Sequence, residues 1–345
     1  MRDLIGWRGI QPNPIDYKTV LELFFADGKI QKEVNHSIKG QMKKCHQIIE
    51  NSHRWVQDKM STKTIITAAL TGVLTTRAQS PAIPYTPAEI AEEARRSVEA
   101  GASIVHIHAR QPDGRPAFDV ETYAQIDAEV RQRCPDVIIN YSTGAIGIDR
   151  ETRIHHIRAL KPDMAALNMG SMNYAIYSRQ QKTFYHDHVF ANPFKDIQFF
   201  LEAMNEAGTR PEMECFDAGH INNAQPLIDL GILQPPYQFS LIMGVLGGIP
   251  ASTKTLVQQV DLLPANAHWQ VIGIGSKQWK MAAAAVSMNG NVRVGLEDNL
   301  YLPNGELAQS NGDLVAKAAE LVRLVGGEVA TVAEARTMLK LEKLN

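Results

Sequence analysis

Residues 64–73 read Thr64-Ile65-Ile66-Thr67-Ala68-Ala69-Leu70-Thr71-Gly72-Val73, an apolar run of strand length that closes on a single glycine. An open, doubly wound α/β sheet normally announces itself here, by a glycine-rich turn after the first strand that cradles phosphate. Leu70-Thr71-Gly72-Val73 is not such a turn. The rest of the chain decides the alternative. Strand-like runs recur at Ile104–His108, Val137–Ser142, Met164–Met169, Glu212–Phe216, Gln238–Met243, Trp269–Ile274 and Val292–Glu297, after the first at Thr64–Ala69. Amphipathic helical patterns separate them at Pro87–Ala100, Val120–Arg133, Arg150–Leu160, Phe194–Glu206, Ile221–Leu230, Thr253–Leu262 and Gln278–Met288, and Leu314–Val325 follows the last strand. Eight strand–helix units in a stretch of this length predict an α/β fold of the (β/α)8 TIM-barrel type.

Two segments break the rhythm. Residues 171–193 are predicted to form a long aromatic-rich loop after the fourth strand, and a loop of that length in a compact barrel is usually functional or mobile. Residues 1–60 are mildly basic, carry Pro12 and Pro14, and then loosely helical patterns. The barrel does not need them. The expected organisation is therefore an N-terminal, partly helical extension over 1–60 and a catalytic barrel over 61–345, with a native product that starts near Met60.

Composition bounds the functional classes. The chain has 345 residues, of which 44% are hydrophobic and 21% charged, as in an ordinary soluble globular protein. A formal net charge of -2 argues against general affinity for nucleic acid or for an anionic membrane surface. Cys45, Cys134 and Cys215 form no C-x-x-C pair, which fits a reducing cytoplasm and excludes a thiolate zinc cage. No run is long enough for a membrane helix, and no secretory leader is expected.

Catalytic groups of a TIM barrel lie at the carboxyl ends of its strands. The second strand ends Ile104-Val105-His106-Ile107-His108. Side chains alternate along a strand, so His106 and His108 share one face with Cα atoms about 6.6 Å apart. A lone histidine is more often a hydrogen-bonded core residue, but two imidazoles so placed at the end of a barrel strand favour holding one divalent metal. The eighth strand ends Val292-Arg293-Val294-Gly295-Leu296-Glu297-Asp298-Asn299, where Arg293, Gly295 and Glu297 are expected to share a face. A buried Glu297 needs a cation or strong donors to stay ionised, whereas Glu297-Asp298 taken alone reads as a solvated strand end. With the histidines it would complete a two-His, one-carboxylate set that suits Zn2+, with iron(II) or manganese as alternatives. Asp298 would then point differently, near the metal but not on it, as a general base should.

Other strand ends carry weaker signals. Ser142, Thr143 and Gly144 after the third strand, and Asn168 at the end of the fourth, can bind a carboxylate or oxyanion, or merely cap the next helices. Gly273, Gly275 and Ser276 after the seventh strand are candidates for a cofactor's phosphates, or an ordinary turn. His155 and His156 read as helix surface, and His186 and His188 as solvated loop residues.

The chain resembles the β-keto acid cleavage enzymes, the family of the 3-keto-5-aminohexanoate cleavage enzyme. The likeness runs from Thr64 to about Leu341 and rests on five motifs in order: residues 67–72, residues 105–110, Ser142-Thr143-Gly144, Leu167-Asn168-Met169-Gly170 and residues 295–299. The resemblance implies zinc held at His106, His108 and Glu297, and acetyl-CoA as co-substrate. It implies condensation with a β-keto acid, release of acetoacetate and a new acyl-CoA, and a homo-oligomer, a tetramer. Asp298, assisted by Arg293, is the implied base, and Ser142 helps hold the substrate.

Departures bear on the substrate. The aminohexanoate enzyme has a glutamate that meets the substrate's amino group where this chain has Leu74, and a threonine where it has Ala166. An apolar or neutral keto acid is therefore expected, although Tyr174, Tyr177, Phe184 and Tyr185 offer rings for an alternative cage around a quaternary ammonium. Two other functions stay open: a metal-dependent hydrolase of the amidohydrolase kind, and a barrel that binds acyl-CoA or phosphate without turnover.

Overall fold

A computed structural model of the chain describes residues 63–341. The expected extension over residues 1–60 and Cys45 lie outside the described residues. Short parallel strands β1 (Lys63–Thr64) and β12 (Glu328–Val329) pair with each other. The remaining parallel strands close a barrel in the order β10 (His268–Gly273), β11 (Asn291–Val294), β2 (Ile66–Ala69), β3 (Ile104–Ile107), β4 (Ile138–Tyr141), β5 (Met164–Asn168), β8 (Arg210–Cys215), β9 (Gln238–Met243). The expected TIM barrel is the observed fold.

Local chemistry sets the helix boundaries. Pro87–Ala100 starts at a capping box, Glu89 N–H donating to Thr86 Oγ1 at 3.3 Å and Thr86 N–H to Glu89 Oε2 at 2.9 Å, and ends at Gly101 with φ 119°. Asp119 and Asp149 cap Val120–Arg133 and Arg150–Leu160 by accepting from backbone N–H groups of the first turn. These three helices have the bounds their patterns predict. The pattern at Ile221–Leu230 instead forms two short helices, Ala218–Asn222 and Ala224–Asp229, broken at Asn223, whose side chain donates to Met169 O at 2.7 Å.

Every barrel strand alternates between two buried environments. Val105, Ile107, Ile139, Tyr141, Leu167, Met213, Leu241 and Val271 face the helices and join the main hydrophobic core. Each fully buried aliphatic side chain there contributes about 1.5–3 kcal/mol. The inner face is layered. At the amino end Ile104, Ile138 and Met164 join Ile65, closed over by Ala335 and Leu339 of the C-terminal helix region. Above them lies a polar layer of Thr67, Asn140, Glu212, Ser240 and Gln270. Near the carboxyl end come His106, Glu214 and Arg293.

The aromatic segment after β5 differs from expectation. It is not an irregular loop but an antiparallel hairpin of β6 (Met172–Ser178) and β7 (Thr183–Phe190). Its two ends anchor it: Met172 and Phe190 turn inward onto Phe216, Ile242 and Ile272, while most of β7 is exposed. A backbone bridge from Ala175 to Leu246 ties the hairpin to the loop after β9. Among the described residues no helix is long and apolar enough to cross a membrane.

Candidate active site

β3 carries His106 as its last inward residue, and His108 follows just past the strand end. The backbone of His108 is held by Thr71, whose Oγ1 donates to His108 O at 2.7 Å and accepts from His108 N at 3.0 Å. The two imidazoles stand 5.3 Å apart, centre to centre, at 69°.

Glu297 reaches them from the far end of the barrel sequence, but not from a strand. β11 stops at Val294, and Gly295 turns the chain with φ 148°, so the expected shared strand face of Arg293, Gly295 and Glu297 does not exist. A Cβ at Gly295 would sit 2.1 Å from Ala69 O, which the strand end cannot accommodate. The turn carries Glu297 Oε1 to 3.7 Å from His106 Nε2 and 3.6 Å from His108 Nε2. One potential ligand atom from each of the three side chains lies within 4.8 Å of the others.

These atoms fit a metal by chemistry as well as spacing. His106 Nδ1 and Nε2 and Glu297 Oε2 are buried and have no hydrogen-bond partner. Unpartnered buried polar atoms are costly, and a divalent cation among them removes the penalty at Nε2 and the carboxylate. Burial, then the charge of Arg293, holds the His106 imidazole well below its ordinary pKa, so it is neutral, the form that ligates.

Arg293 organises the acidic side of the site. Its guanidinium donates to Asp298 through Nε at 2.9 Å and Nη2 at 3.1 Å, to Glu297 Oε1 at 2.5 Å and to Glu214 Oε1 at 3.4 Å. One cation thus faces three carboxylates. Burial raises the Glu214 carboxyl above its ordinary range against the pull of Arg293. Burial also raises Asp298, against the pull of Arg293. Burial works against Glu297 too, but Arg293 and the imidazoles more than offset it and hold that carboxyl well below its usual range.

The opposite rim comes from β4 and β5. Ser142 Oγ accepts from Gly144 N at 3.1 Å, and a Cβ at Gly144 would lie 3.4 Å from both Ser142 Oγ and Asn168 Nδ2. Asn168 Nδ2 is buried without a partner, a donor free for a ligand. Thr143 faces elsewhere: its Oγ1 donates to Ala166 O at 2.6 Å and ties the turn to β5. His156, expected on the surface, is 1% exposed; it stacks on Tyr123 at 3.9 Å and its Nε2 meets Ser142 O at 3.1 Å. The helix therefore buttresses the turn from behind, assisted by Arg153, whose Nε donates to Thr143 O at 2.7 Å.

Leu74 is exposed on the loop after β2, a loop clamped by Arg110 through the carbonyls of Thr71, Gly72 and Thr75. Gly275 N donates to Asp298 O at 2.7 Å, and Gly273 packs against Gln278, so both glycines have roles in shaping the turn; Ser276 is exposed. The four rings expected as an alternative cage do not gather: Tyr174 packs on Phe190 and Tyr177 on Phe184, with Tyr185 exposed. Tyr174 alone faces the site. Burial, with the charges of Glu297, Asp298 and Glu214, pushes its phenol up to about 12.

Glu212 and Glu214 escaped the sequence reading. The signal existed: Glu212-Met213-Glu214 puts two acids at alternate positions of an otherwise apolar strand, as His106 and His108 do on β3.

A family profile described as beta-keto acid cleavage enzyme matches residues 63–341. A 3-keto-5-aminohexanoate cleavage enzyme from Fusobacterium nucleatum subsp. nucleatum is 41% identical over 285 residues, 82% of this chain and 100% of that one. A 3,5-dioxohexanoate:acetyl-CoA acetone transferase from Paraburkholderia graminis is 35% identical, covering 81% and 96%. Among solved structures, ObcA in a ternary complex with a C4-CoA adduct and oxalate superposes with a TM-score of 0.62 at 23% identity, covering 77% of this chain and 68% of that one. That likeness concerns the fold.

Proposed function

Because the chain belongs to the beta-keto acid cleavage enzyme family, we propose that it condenses a β-keto acid with acetyl-CoA and releases acetoacetate and a new acyl-CoA. Its zinc would be held by His106, His108 and Glu297. The observation that carries this reading is the meeting of those three side chains beside the buried Arg293–Asp298 pair at the barrel mouth.

Zinc at that position would draw electron density from the substrate's keto oxygen and acidify the carbon between ketone and carboxylate. Asp298 takes the proton from that carbon, held in line by Arg293. Ser142 and the free amide of Asn168 bind the substrate carboxylate. The carbanion attacks the thioester carbon of acetyl-CoA and forms the new carbon–carbon bond while CoA leaves as thiolate. The thiolate then adds to the former keto carbon. Cleavage of the bond to the old α-carbon returns the electron pair to what becomes acetoacetate, which recovers a proton, and leaves the acyl group on CoA. Gly273, Gly275 and Ser276 remain the candidates for contact with CoA's phosphates.

Leu74 and Ala166 supply no charge for an amino group, so the substrate is an apolar or neutral β-keto acid. A hydrolase of the amidohydrolase kind is disfavoured, because β8 and β9 carry no histidine. The test is a panel of β-keto acids incubated with acetyl-CoA and zinc-loaded protein, scored for acetoacetate. Aliphatic keto acids should give it in step with acyl-CoA. No acetoacetate from any keto acid sinks the reading.

A further inference from the structure

Beneath the proposed metal set, the polar layer of the barrel has an order of its own. Glu212 is wholly buried on β8 and its carboxylate accepts every hydrogen bond the side chain makes. Asn140 Nδ2 donates to Oε2, while Ser240 Oγ and Gln270 Nε2, the latter at 2.6 Å, donate to Oε1. Gln270 is fixed in turn by Thr67 Oγ1 at 2.9 Å. Because a carboxylate oxygen takes the amide N–H2 of Asn140, the Asn140 carbonyl must be turned the other way.

Asn140 and His106 are direct register partners across β3 and β4, with both side chains on the inner face. Asn140 Oδ1 and His106 Nδ1 are each buried without a hydrogen-bond partner. One is an acceptor, the other a ring nitrogen that needs one. Nε2 faces Glu297 and needs its lone pair for a metal, so the ring proton belongs on Nδ1.

We infer that Glu212 and Asn140 form a positioning relay, in which Glu212 fixes the orientation of the Asn140 amide and, once a metal seats His106, the amide carbonyl accepts from His106 Nδ1–H and fixes the metal-binding tautomer. The inference rests on the metal set proposed above. Both residues lie in the buried polar layer and would act through His106.

Glu212→Gln tests it. The introduced glutamine keeps one oxygen for Ser240 and Gln270 but turns an N–H2 toward Asn140. The Asn140 amide then flips, presents its own N–H2 to His106 Nδ1, and drives the ring proton to Nε2, where it blocks the metal. Zinc affinity, measured by chelator competition, falls about 10- to 100-fold, and the visible spectrum of the cobalt(II) protein changes in the same sense. The double variant Glu212→Gln, Asn140→Asp restores an acceptor. There the introduced glutamine donates to one oxygen of the introduced aspartate, and His106 Nδ1–H donates to the other. Its zinc affinity returns to within a few-fold of wild type, which a merely structural role for the layer does not predict. Wild-type affinity in the single variant, or no recovery in the double variant when both melt as cooperatively as wild type, overturns the relay alone. Wild-type protein that binds no zinc overturns the metal set, and the relay with it.

Discussion

Arg293 grips Asp298 at two points, Nε to Oδ2 at 2.9 Å and Nη2 to Oδ1 at 3.1 Å, with both residues almost wholly buried. The same guanidinium reaches Glu297 at 2.5 Å, so one residue sets the position of the proposed base and of a proposed metal ligand together. A planar fork does this and a lysine ammonium does not.

Asp298→Asn keeps the shape and removes the base. The expected result is a fall in kcat of at least about 100-fold, in line with the usual worth of general-base catalysis, with KM for the keto acid and zinc content nearly unchanged. Steady-state kinetics with metal analysis checks this. Unaltered kcat would take Asp298 out of the chemistry.

Gly72 has φ 58°, and a Cβ there would lie 2.6 Å from Glu297 Cγ. Gly72→Ala should therefore displace Glu297 and strain the loop, lowering stability by about 1–3 kcal/mol and weakening zinc binding. Chemical denaturation and chelator competition on one preparation measure both. A loss of stability with intact zinc affinity would separate the loop from the site.

Leu74→Glu should shift specificity toward a cationic keto acid. The expected change is about tenfold or more in the ratio of kcat/KM for 3-keto-5-aminohexanoate over a neutral aliphatic keto acid, the scale of one well-placed contact. An unmoved ratio would place Leu74 outside the substrate's reach.

His156 gives a prediction in acid. Burial lowers its pKa from 6.5 to about 3, so the unfolded chain takes up a proton there before the folded one does. Stability from this group is intact above pH 6.5 and declines as pH falls toward 3, by about 1.4 kcal/mol per unit. Urea unfolding at about pH 7 and about pH 5, on either side of the ordinary imidazole pKa, should show a shallower loss in His156→Phe than in wild type. Equal slopes would contradict the buried neutral imidazole.

Much of this was legible in the sequence because burial on both faces leaves a plain trace. The apolar runs marked the barrel strands, and the amphipathic patterns at Pro87–Ala100, Val120–Arg133 and Arg150–Leu160 gave the bounds of three helices. The hairpin of β6 and β7 was not legible, because β7 is exposed at all but its last residue and lacks the alternation that identifies a half-buried strand. His156 defeats a surface reading because helix polarity alone does not show which polar residue has a buried carbonyl, here Ser142 O, to meet. The turn at Gly295 needs the neighbouring Ala69 carbonyl to explain it, a contact between residues at opposite ends of the barrel sequence.

The proposed chemistry depends most on His106, His108 and Glu297 sharing one ion. Elemental analysis of the purified full-length chain, after exhaustive dialysis against metal-free buffer, tests that directly. One zinc per chain is expected, with His108→Ala and Glu297→Gln each losing most of it while staying folded. A wild-type chain without stoichiometric metal, or ligand variants that retain it, would contradict the account.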